Sequence, residues 1–227
     1  KRTWSKDWHA FISGMNIWKS PLGVKANQEL AEISSAEPEL HTSLALNVLY
    51  HQLQHNTKYH ILDLGPAMGR NVDFFSQFPC KIYIEDLYHT LNSFDFFSPE
   101  DGFTYKTVFE YLLPYTHSTR FDIIMGWDVF NYLERDEFRS LVSHLGNFCY
   151  KGTLLFSLIS TRKHIPEKPT TFKILDQESL QYQTQSSVLR SCPVYEQSDL
   201  DNLMPNFHAC NSFILRNGFK EYLFVYE

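Results

Sequence analysis

The segment ILDLGPAMG, residues 61–69, carries one acid and two glycines at a spacing that suits a ligand-binding turn. Asp63 ends an apolar run of strand length, and Gly65 and Gly69 stand four residues apart directly after it. Glycine allows a tight turn and lets the backbone approach a ligand closely, because it has no side chain. The segment therefore predicts a strand, a turn near a nucleotide-like ligand and a helix. The alternative is a strand-to-helix turn that binds nothing.

A dinucleotide-binding loop of the form G-x-G-x-x-G does not fit this segment. Starting from Gly65, the second and third glycines of that pattern would fall on Ala67 and Arg70. The third position needs a glycine because helix and strand pack closely there, and an arginine side chain would obstruct the packing. The pattern that remains is an acid at the end of a strand followed by two glycines four residues apart.

The elements around this turn indicate an α/β protein. Near-continuous apolar strands that alternate with helices are typical of a parallel sheet covered on both faces. The predicted class is a doubly wound, mostly parallel sheet with helices on both faces. The predicted strands are Tyr59 to Leu64, Lys81 to Glu85, Phe121 to Gly126 and Thr153 to Ile159, and the predicted helices are Thr42 to Leu53, Asn71 to Phe78, Glu134 to Cys149 and Asp199 to Met204.

The C-terminal residues have a different pattern. Residues 211–216 and 219–226 are both rich in β-forming residues, and Asn217 and Gly218 stand between them. Asn-Gly between two such runs is a strong hairpin signal, because both central positions of the favoured turn need positive φ. We therefore expect the sheet to end in a C-terminal antiparallel β-hairpin.

The motif D-L-G-P-A-M-G, residues 63–69, resembles motif I of class I S-adenosylmethionine-dependent methyltransferases, whose usual form is D/E-x-G-x-G-x-G. Ala67 replaces the middle glycine, a small residue for a smaller one. In that family a second acid, about 17 residues beyond the last glycine, binds both ribose hydroxyls. Here that position is Asp86, and Glu85 is the alternative if the strand is shifted by one residue. A carboxylate suits a vicinal diol because its two oxygens can each accept one hydroxyl.

Two further segments resemble the same family. Glu110 and Tyr111 precede Leu-Leu-Pro and then Phe-Asp, where the family has an acid at the end of its third strand, near the adenine amino group. The segment GWDVFNYL, residues 126–133, is similar to the family segment after the fourth strand, which contacts the methionine end of the cofactor or the acceptor. The resemblance extends from residue 42 to residue 226, apart from residues 160–195, and implies a seven-stranded sheet. For Glu110, the alternative is a solvated loop acid.

The resemblance implies S-adenosyl-L-methionine as cofactor and S-adenosyl-L-homocysteine as product. The candidate cofactor-binding residues are Asp63, Gly65, Pro66, Ala67, Gly69, Asn71, Asp86, Leu87, Glu110, Tyr111, Trp127 and Asp128. A methyl donor that carries its own leaving group needs mainly orientation, with a general base for a poorly acidic acceptor. The candidates for a base or an acceptor-orienting group are Asp128, Asn131 and Tyr132, and His89, His164 and Tyr195 are further candidates for which a structural role is the favoured alternative.

Composition limits the partners. The chain has 227 residues, 43% of them hydrophobic, so it can bury roughly three quarters of its unfolded surface in one core. The formal net charge is −6, which gives no general attraction to nucleic acid or to an anionic membrane, and no run of about 18 apolar residues predicts a membrane span. The four cysteines lie far apart, and no cysteine, histidine or carboxylate cluster has metal-ligand spacing. We expect a cytoplasmic protein that needs no metal.

The predicted organisation is an N-terminal helical lid or extension, residues 1–56, followed by a cofactor-binding domain, residues 57–227. In the extension, Trp4, Trp8 and Trp18 could roof the cofactor, form an acceptor pocket, pack in the core or form an oligomer interface. Residues 160–195, here called the excursion, carry three prolines and no strong periodicity, and should border the substrate cleft. The basic residues of the excursion would meet an acidic acceptor or lie in a solvated loop: Arg162, Lys163, Lys168 and Lys173.

The sequence thus favours a methyltransferase that transfers a methyl group to a small-molecule acceptor by in-line displacement. One alternative is a catalytically degenerate methyltransferase-like protein that binds the cofactor or a protein partner, for which Ala67 leaves room. A nucleic-acid methyltransferase is a third interpretation, and the acidic balance of the chain disfavours it.

Overall fold

The computed structural model describes residues 37–93, 104–215 and 217–227. Its strands are β1 (Glu39–Thr42), β2 (Tyr59–Asp63), β3 (Cys80–Ile84), β4 (Ile123–Trp127), β5 (Leu154–Ser160), β6 (His164–Pro166), β7 (Thr171–Ile174), β8 (Ser179–Gln183), β9 (Leu189–Ser191), β10 (Phe207–Ile214) and β11 (Phe219–Tyr226). Its helices are α1 (Leu44–Gln52), α2 (Gly69–Phe75), α3 (Leu87–Ser93), α4 (Tyr105–Leu112), α5 (Arg135–Gly146) and α6 (Gln197–Leu203), and a 3₁₀ turn spans Val129–Tyr132.

The main sheet is mixed and has six strands among the described residues. The strand order is β10, β11, β5, β4, β2, β3. Four neighbouring strands pair in parallel, in the spatial order β3, β2, β4, β5. Strand β11 is antiparallel to β5, and β10 is antiparallel to β11. Every residue of β4 and β5 is buried, because both faces of a parallel sheet are covered and apolar side chains can therefore point in both directions.

Helices and the excursion cover the two faces of this sheet. One core cluster packs α4, α5 and α6 against β2, β4 and β5, with Phe109, Phe138 and Leu200 almost completely buried. The other packs α1, α2 and part of the excursion against the opposite face, with Leu46 and Phe75 almost completely buried. The burial of apolar side chains on both faces is the main favourable contribution to this arrangement. The predicted α/β class, with helices on both faces, is therefore confirmed.

The excursion contains four short strands, although its sequence shows no strong periodicity. Strands β7 and β8 form a hairpin, and β1 adds to it to give a three-stranded sheet in the order β1, β8, β7. Strands β6 and β9 form a separate antiparallel ribbon. The segment 39–42, which looked helical in sequence, is therefore a strand, because the edge of β8 offers hydrogen-bond partners that outweigh local preference.

One further sequence prediction, the seventh strand, is not confirmed, and another, the place of Glu110, needs correction. The seventh strand is not among the described strands of the main sheet, and residues 94–103, which come after α3, lie outside the described residues. Glu110 does not end a strand, because it lies inside α4, whose first turn is capped by Thr104 and Thr107 in a reciprocal capping box. The N-terminal tryptophans and the predicted extension up to residue 36 also lie outside the described residues.

We expect Phe138→Ala to lower the free energy of unfolding by about 3–5 kcal/mol, the usual cost of truncating a buried phenylalanine. Phe138 has no exposed surface, and its ring stacks on Phe130 at 4.6 Å and contacts Tyr195 edge-on at 5.1 Å. Urea denaturation followed by circular dichroism measures the change. Arg139→Ala, on the exposed side of the same helix, is the matched control and should change stability by about 0.5 kcal/mol or less. A loss below about 1 kcal/mol for Phe138→Ala would contradict this packing.

Candidate functional site

The carboxyl ends of β2 and β4 lie side by side where the strand order of the sheet reverses. From β2 the chain first proceeds outward to β3, and it later returns to the other side of β2 with β4 and then β5. In open α/β sheets, ligands bind in the crevice at such a point. A cavity of about 30 Å³ lies here, and it is lined by Leu64, Gly65, Pro66, Asn71, Asp86, Tyr88, Trp127, Asp128, Val129, Pro169, Thr170 and Phe172.

Asp63 holds the turn that comes after β2. Its Oδ1 accepts hydrogen bonds from the backbone N–H of Gly65 at 2.9 Å and from the indole Nε1 of Trp127 at 2.6 Å. The side chain is 3% exposed, and this burial raises the pKa of Asp63 to about 6, although both hydrogen bonds oppose the shift. The bond to Gly65 ties the end of β2 to the turn that comes after it.

Trp127 stands at the end of β4 in an uncommon backbone conformation. Its φ is +45°, a region that costs a residue with a side chain about 1–3 kcal/mol. The pairing of β4 with β5 shifts by one residue between Met125 and Trp127, and the hydroxyl of Ser157 donates to the carbonyl oxygen of Trp127 at 2.9 Å. A bulge of this kind redirects the side chain next to it. Here it directs the indole over Gly65, where an added Cβ would lie 2.7 Å from the Trp127 ring.

The excursion closes the cavity from the opposite side. The ring of Phe172 in β7 lies parallel to the indole of Trp127, with an interplanar angle of 4° and ring centres 5.5 Å apart. The side-chain amide of Asn71 donates to the carbonyl oxygen of Phe172 at 3.2 Å and accepts from the N–H of Ile174 at 2.9 Å. Asn71 is 3% exposed, so these two bonds satisfy a buried amide.

Asp128 is a second buried acid at the cavity. Its side chain is 4% exposed and lines the cavity, and its Oδ2 accepts from the backbone N–H of Thr170 at 3.2 Å. Burial raises the pKa of Asp128 to about 7, and the hydrogen bond from Thr170 opposes that shift. A carboxyl with a pKa near 7 is partly ionised at neutral pH and can accept a proton there.

The two adjacent acids after β3 have different environments. Asp86 lines the cavity, and its Oδ1 accepts from the N–H of His89 at 3.2 Å at the start of α3. Glu85 instead accepts a hydrogen bond from the hydroxyl of Tyr115 at 2.7 Å and does not line the cavity. A carboxylate has about four acceptor positions, so Asp86 keeps capacity for a ligand hydroxyl. Of the two alternatives left by the sequence, the geometry favours Asp86.

The structure brings about half of the predicted cofactor residues together. Those that line the cavity are Gly65, Pro66, Asn71, Asp86, Trp127 and Asp128. Asp63 bonds to Gly65 next to them, Leu87 is a core residue, and Ala67 on the turn and Gly69 at the start of α2 are exposed. Glu110 and Tyr111 do not line the cavity, because both lie on α4, where Glu110 is half exposed and 4.0 Å from Lys106 and Tyr111 is 59% exposed. Their part in cofactor binding therefore has no support from the cavity lining and stays a prediction.

Two predicted acceptor-orienting residues are structural in this arrangement. The amide of Asn131 donates to the carbonyl oxygens of Asp128 and Leu158 and accepts from the N–H of Ser160, so its polar groups are already used. The hydroxyl of Tyr132 points to the excursion and contacts the carbonyl oxygens of residues 166 and 168 at 3.1 and 3.2 Å. Burial raises the pKa of Tyr132 far above its ordinary value. Asn131 and Tyr132 therefore position the excursion and β5.

The remaining sequence candidates lie away from the cavity lining. His89 and His164 are exposed, and the hydroxyl of Tyr195 donates to the carbonyl oxygen of Leu133 at 2.6 Å. The basic side chains of the excursion are exposed or half-buried, as expected of a solvated segment. Within residues 37–93, 104–215 and 217–227, no three histidine, cysteine or carboxylate side chains are grouped so that they could hold a metal ion. In the same residues, no helix is long and apolar enough to cross a membrane.

Half of the residues that line the cavity are not among the site residues predicted from the sequence. The missed residues are Leu64, Tyr88, Val129, Pro169, Thr170 and Phe172. Tyr88 and Val129 adjoin predicted site residues, so the spacing that identified those could have included them. Residues 169–172 had no comparable signal, because their place over the cavity depends on the fold of the excursion.

Comparison with solved structures finds S-adenosylmethionine-dependent methyltransferases. The chain is similar to one from Clostridium acetobutylicum, with 11% identity, a TM-score of 0.46 and coverage of 80% of this chain and 90% of that one. It is also similar to 1,6-didemethyltoxoflavin-N1-methyltransferase from Burkholderia thailandensis, solved with S-adenosylhomocysteine, with 12% identity, a TM-score of 0.46 and coverage of 80% and 76%. A TehB-like methyltransferase from Corynebacterium glutamicum is similar as well, with 12% identity, a TM-score of 0.43 and coverage of 81% of this chain and 87% of that one.

No protein-family model matches the chain. No curated protein matches it either. With TM-scores below 0.5, the similar solved structures do not assign roles to individual residues, so any function has to be argued from the site itself.

We expect Gly65→Ala to displace the Trp127 ring, because the new Cβ would lie 2.7 Å from its Cδ1 and 3.2 Å from Asp63 Oδ1. The loss of the indole hydrogen bond and of ring packing should lower the free energy of unfolding by about 1–3 kcal/mol. Chemical denaturation and the near-ultraviolet circular dichroism of tryptophan report the change. Gly69→Ala is the matched control, because no atom lies within 4 Å of the added Cβ there. Equal effects of the two substitutions would contradict the close approach at Gly65.

Asp128 should make stability fall as the pH rises from about 4 to about 7. Its folded pKa, about 7, is above the unfolded value of 3.8, so the folded state binds a proton more tightly, and this contribution is lost as the pH rises through 7. At about 1.4 kcal/mol per pKa unit, the contribution is on the order of 4 kcal/mol. We expect Asp128→Asn to give a flatter dependence in urea denaturation at several pH values. Asp73→Asn, on the exposed side of α2, should retain the slope of the original chain, and an unchanged slope in Asp128→Asn would refute the assignment.

Proposed function

We propose that this chain is a methyltransferase that binds S-adenosyl-L-methionine at the carboxyl edge of its sheet and methylates a small-molecule acceptor. The observation that carries the proposal is the meeting of Gly65, Asp86 and Asp128 on one cavity. These residues come directly after three neighbouring parallel strands, β2, β3 and β4. A tight glycine turn, a diol-binding acid and a proton-accepting acid are thus presented together at the point of the sheet where ligands bind.

The residue types fit an adenosyl cofactor with an amino-acid end. Gly65 has no side chain to keep a ligand away from its backbone, and a larger residue there would collide with Trp127 and Asp63. Asp86 offers carboxylate oxygens to a pair of ribose hydroxyls and can still accept hydrogen bonds in addition to the one from His89. Asp63 is a buried acid next to the turn, and such an acid can take a cationic ligand group in place of the indole hydrogen bond.

The bound cofactor would supply an activated methyl group on a sulfonium, which is a good leaving group. The residues of the chain would then orient the acceptor, exclude water and remove a proton from the acceptor. Asp128 is the residue suited to the proton transfer, because burial holds its pKa at about 7 and its carboxylate borders the cavity. Pro169 and Thr170 cover the same space and would exclude water from it.

A small acceptor fits the setting of the site better than a nucleic acid. The cavity lies under the excursion, which covers Asp128 through Thr170, and the whole chain carries a net charge of −6. A polyanion would have to approach against that charge. The cytoplasmic location and an oligomer formed through the N-terminal aromatic face stay predictions.

A methyltransferase-like protein without turnover is the second candidate function. The cavity of about 30 Å³ is far below the roughly 300–1,000 Å³ of ordinary ligand pockets. The rings of Trp127 and Phe172 take up the space between the glycine turn and the excursion. A chain in which these rings never move would keep the fold and lose the cofactor.

Titration calorimetry with S-adenosyl-L-methionine and S-adenosyl-L-homocysteine tests the proposal. We expect both ligands to bind, and we expect Asp86→Ala to weaken both by about ten- to a hundredfold, because hydrogen bonds to a charged group contribute about 1.5–3 kcal/mol. Glu85→Gln is the matched control, since Glu85 faces Tyr115, and it should bind within about twofold of the original chain.

The outcomes separate the two candidates. Absence of binding of both ligands to the original chain would reject the methyltransferase proposal and favour the second candidate. Binding that Asp86→Ala leaves unchanged would reject the assignment of Asp86. Where binding is found, methyl-labelled cofactor incubated with pools of small metabolites reports transfer, and Asp128→Asn should lower the rate by about a hundredfold or more if the acceptor needs a base.

A further inference from the structure

We propose that Trp127 and Phe172 form a gate over this site, that the gate is shut in the present structure, and that a ligand enters only when the indole leaves Gly65 and the excursion lifts. This inference deepens the proposed function and rests on it for the identity of the ligand. Trp127 and Phe172, which would regulate access to the site, both line its cavity.

Lack of space is the first observation behind the gate. Only about 30 Å³ is open between the glycine turn and the excursion, roughly the volume of one water molecule. The indole of Trp127 lies against Gly65, and the ring of Phe172 lies parallel to the indole with the ring centres 5.5 Å apart. A ligand with an adenine, a ribose and an amino-acid end cannot enter while both rings stay in place.

The contacts that hold the gate shut use the groups that a ligand would need. The indole N–H of Trp127 takes a hydrogen-bonding position on Asp63, and the N–H of Thr170 takes one on Asp128. Opening releases both acids, and ligand groups can replace the lost hydrogen bonds. The shut state is therefore a self-occupied form of the site, in which the protein supplies its own partners to two buried carboxyl groups.

The excursion is attached in a way that allows it to lift. Strand β7 is the outer strand of its three-stranded sheet, so its far edge is not paired with another strand of that sheet. The side-chain amide of Asn71 bonds to that edge through the carbonyl oxygen of Phe172 and the N–H of Ile174. Separation at this edge breaks the two bonds of Asn71, the bond from Thr170 to Asp128 and the ring contact, and it exposes apolar surface of Phe172 and Ile174, while the ladder between β7 and β8 stays intact.

The backbone of Trp127 also favours movement. A φ of +45° is unfavourable for a residue with a side chain, and the surrounding contacts hold Trp127 there. The hydrogen bond to Asp63 and the stacking on Phe172 are two of these contacts. If the stacking is removed, the indole keeps one contact fewer, and the open state should become more populated.

A shut gate lowers the observed affinity by the fraction of molecules that are open. Weakening the gate should therefore raise the association rate constant. Phe172 also lines the cavity, so its removal can cost a ligand contact, but that loss would appear in the dissociation rate constant. The two rate constants thus separate the gate from an ordinary binding contact.

The experiment compares Phe172→Ala and Phe172→Leu with Lys173→Ala, which changes the neighbouring, half-buried residue on the other face of β7. Fluorine NMR of protein labelled with 5-fluorotryptophan reports the state of Trp127 without any ligand, and Trp127→Phe identifies its resonance. We expect the resonance to move toward the solvent-exposed position in Phe172→Ala, to move less in Phe172→Leu and to stay unchanged in Lys173→Ala. Phe172→Leu keeps apolar burial and serves if Phe172→Ala does not fold.

Stopped-flow binding of S-adenosyl-L-homocysteine gives the second readout. We expect the association rate constant to rise about five- to tenfold in Phe172→Ala and to be unchanged in Lys173→Ala. An unmoved Trp127 resonance in both Phe172 variants would overturn the gate, and so would binding of the ligand with an association rate constant that does not rise in Phe172→Ala. If no variant binds the ligand but the resonance moves as expected, the gate is supported and the proposed methyltransferase function fails.

Discussion

The carboxylate of Asp63 is the junction on which the geometry of the site depends. One of its oxygens accepts from both the turn after β2 and the indole that extends from β4. The indole in turn stacks on the ring of Phe172, which belongs to the excursion. A single buried acid thus sets the distance between two strand ends and the cover above them. Because burial raises its pKa to about 6, this junction is held by a group that changes its charge close to neutrality.

The central strands could be predicted from the sequence because a strand buried on both faces must be apolar at nearly every position. For β5, the predicted and observed bounds differ by one residue at each end. The strands of the excursion could not be found this way, since they are short, carry many polar residues and are defined by pairing with one another and with β1. Glu110 was misplaced because its spacing to the Leu-Pro pair was preferred over the apolar residues 108, 109 and 112, which have helical spacing and are buried.

The acids of the site could be predicted and their environments could not. Spacing from the glycine turn indicated Asp86, but the sequence left Glu85 open, and the choice depends on which acid Tyr115 contacts. Asp128 was found from its place after β4, whereas its raised pKa comes from burial under the excursion. The position of the indole is set by a bulge in the pairing of β4 with β5, and a bulge of one residue has no signal in the hydrophobic pattern here.

Asn71 acts toward β7 as a neighbouring strand would, because its amide bonds to a carbonyl oxygen and an N–H two residues apart. These two bonds of Asn71 do not by themselves fix which residues of β7 lie beside it. If β7 moved by two residues along its own direction, the amide would meet an equivalent carbonyl oxygen and N–H. After such a slip, a residue other than Phe172 would lie on Trp127. The ring of Phe172 therefore helps to set the alignment of the excursion, together with the bond from Thr170 to Asp128 and the pairing of β1 with β8.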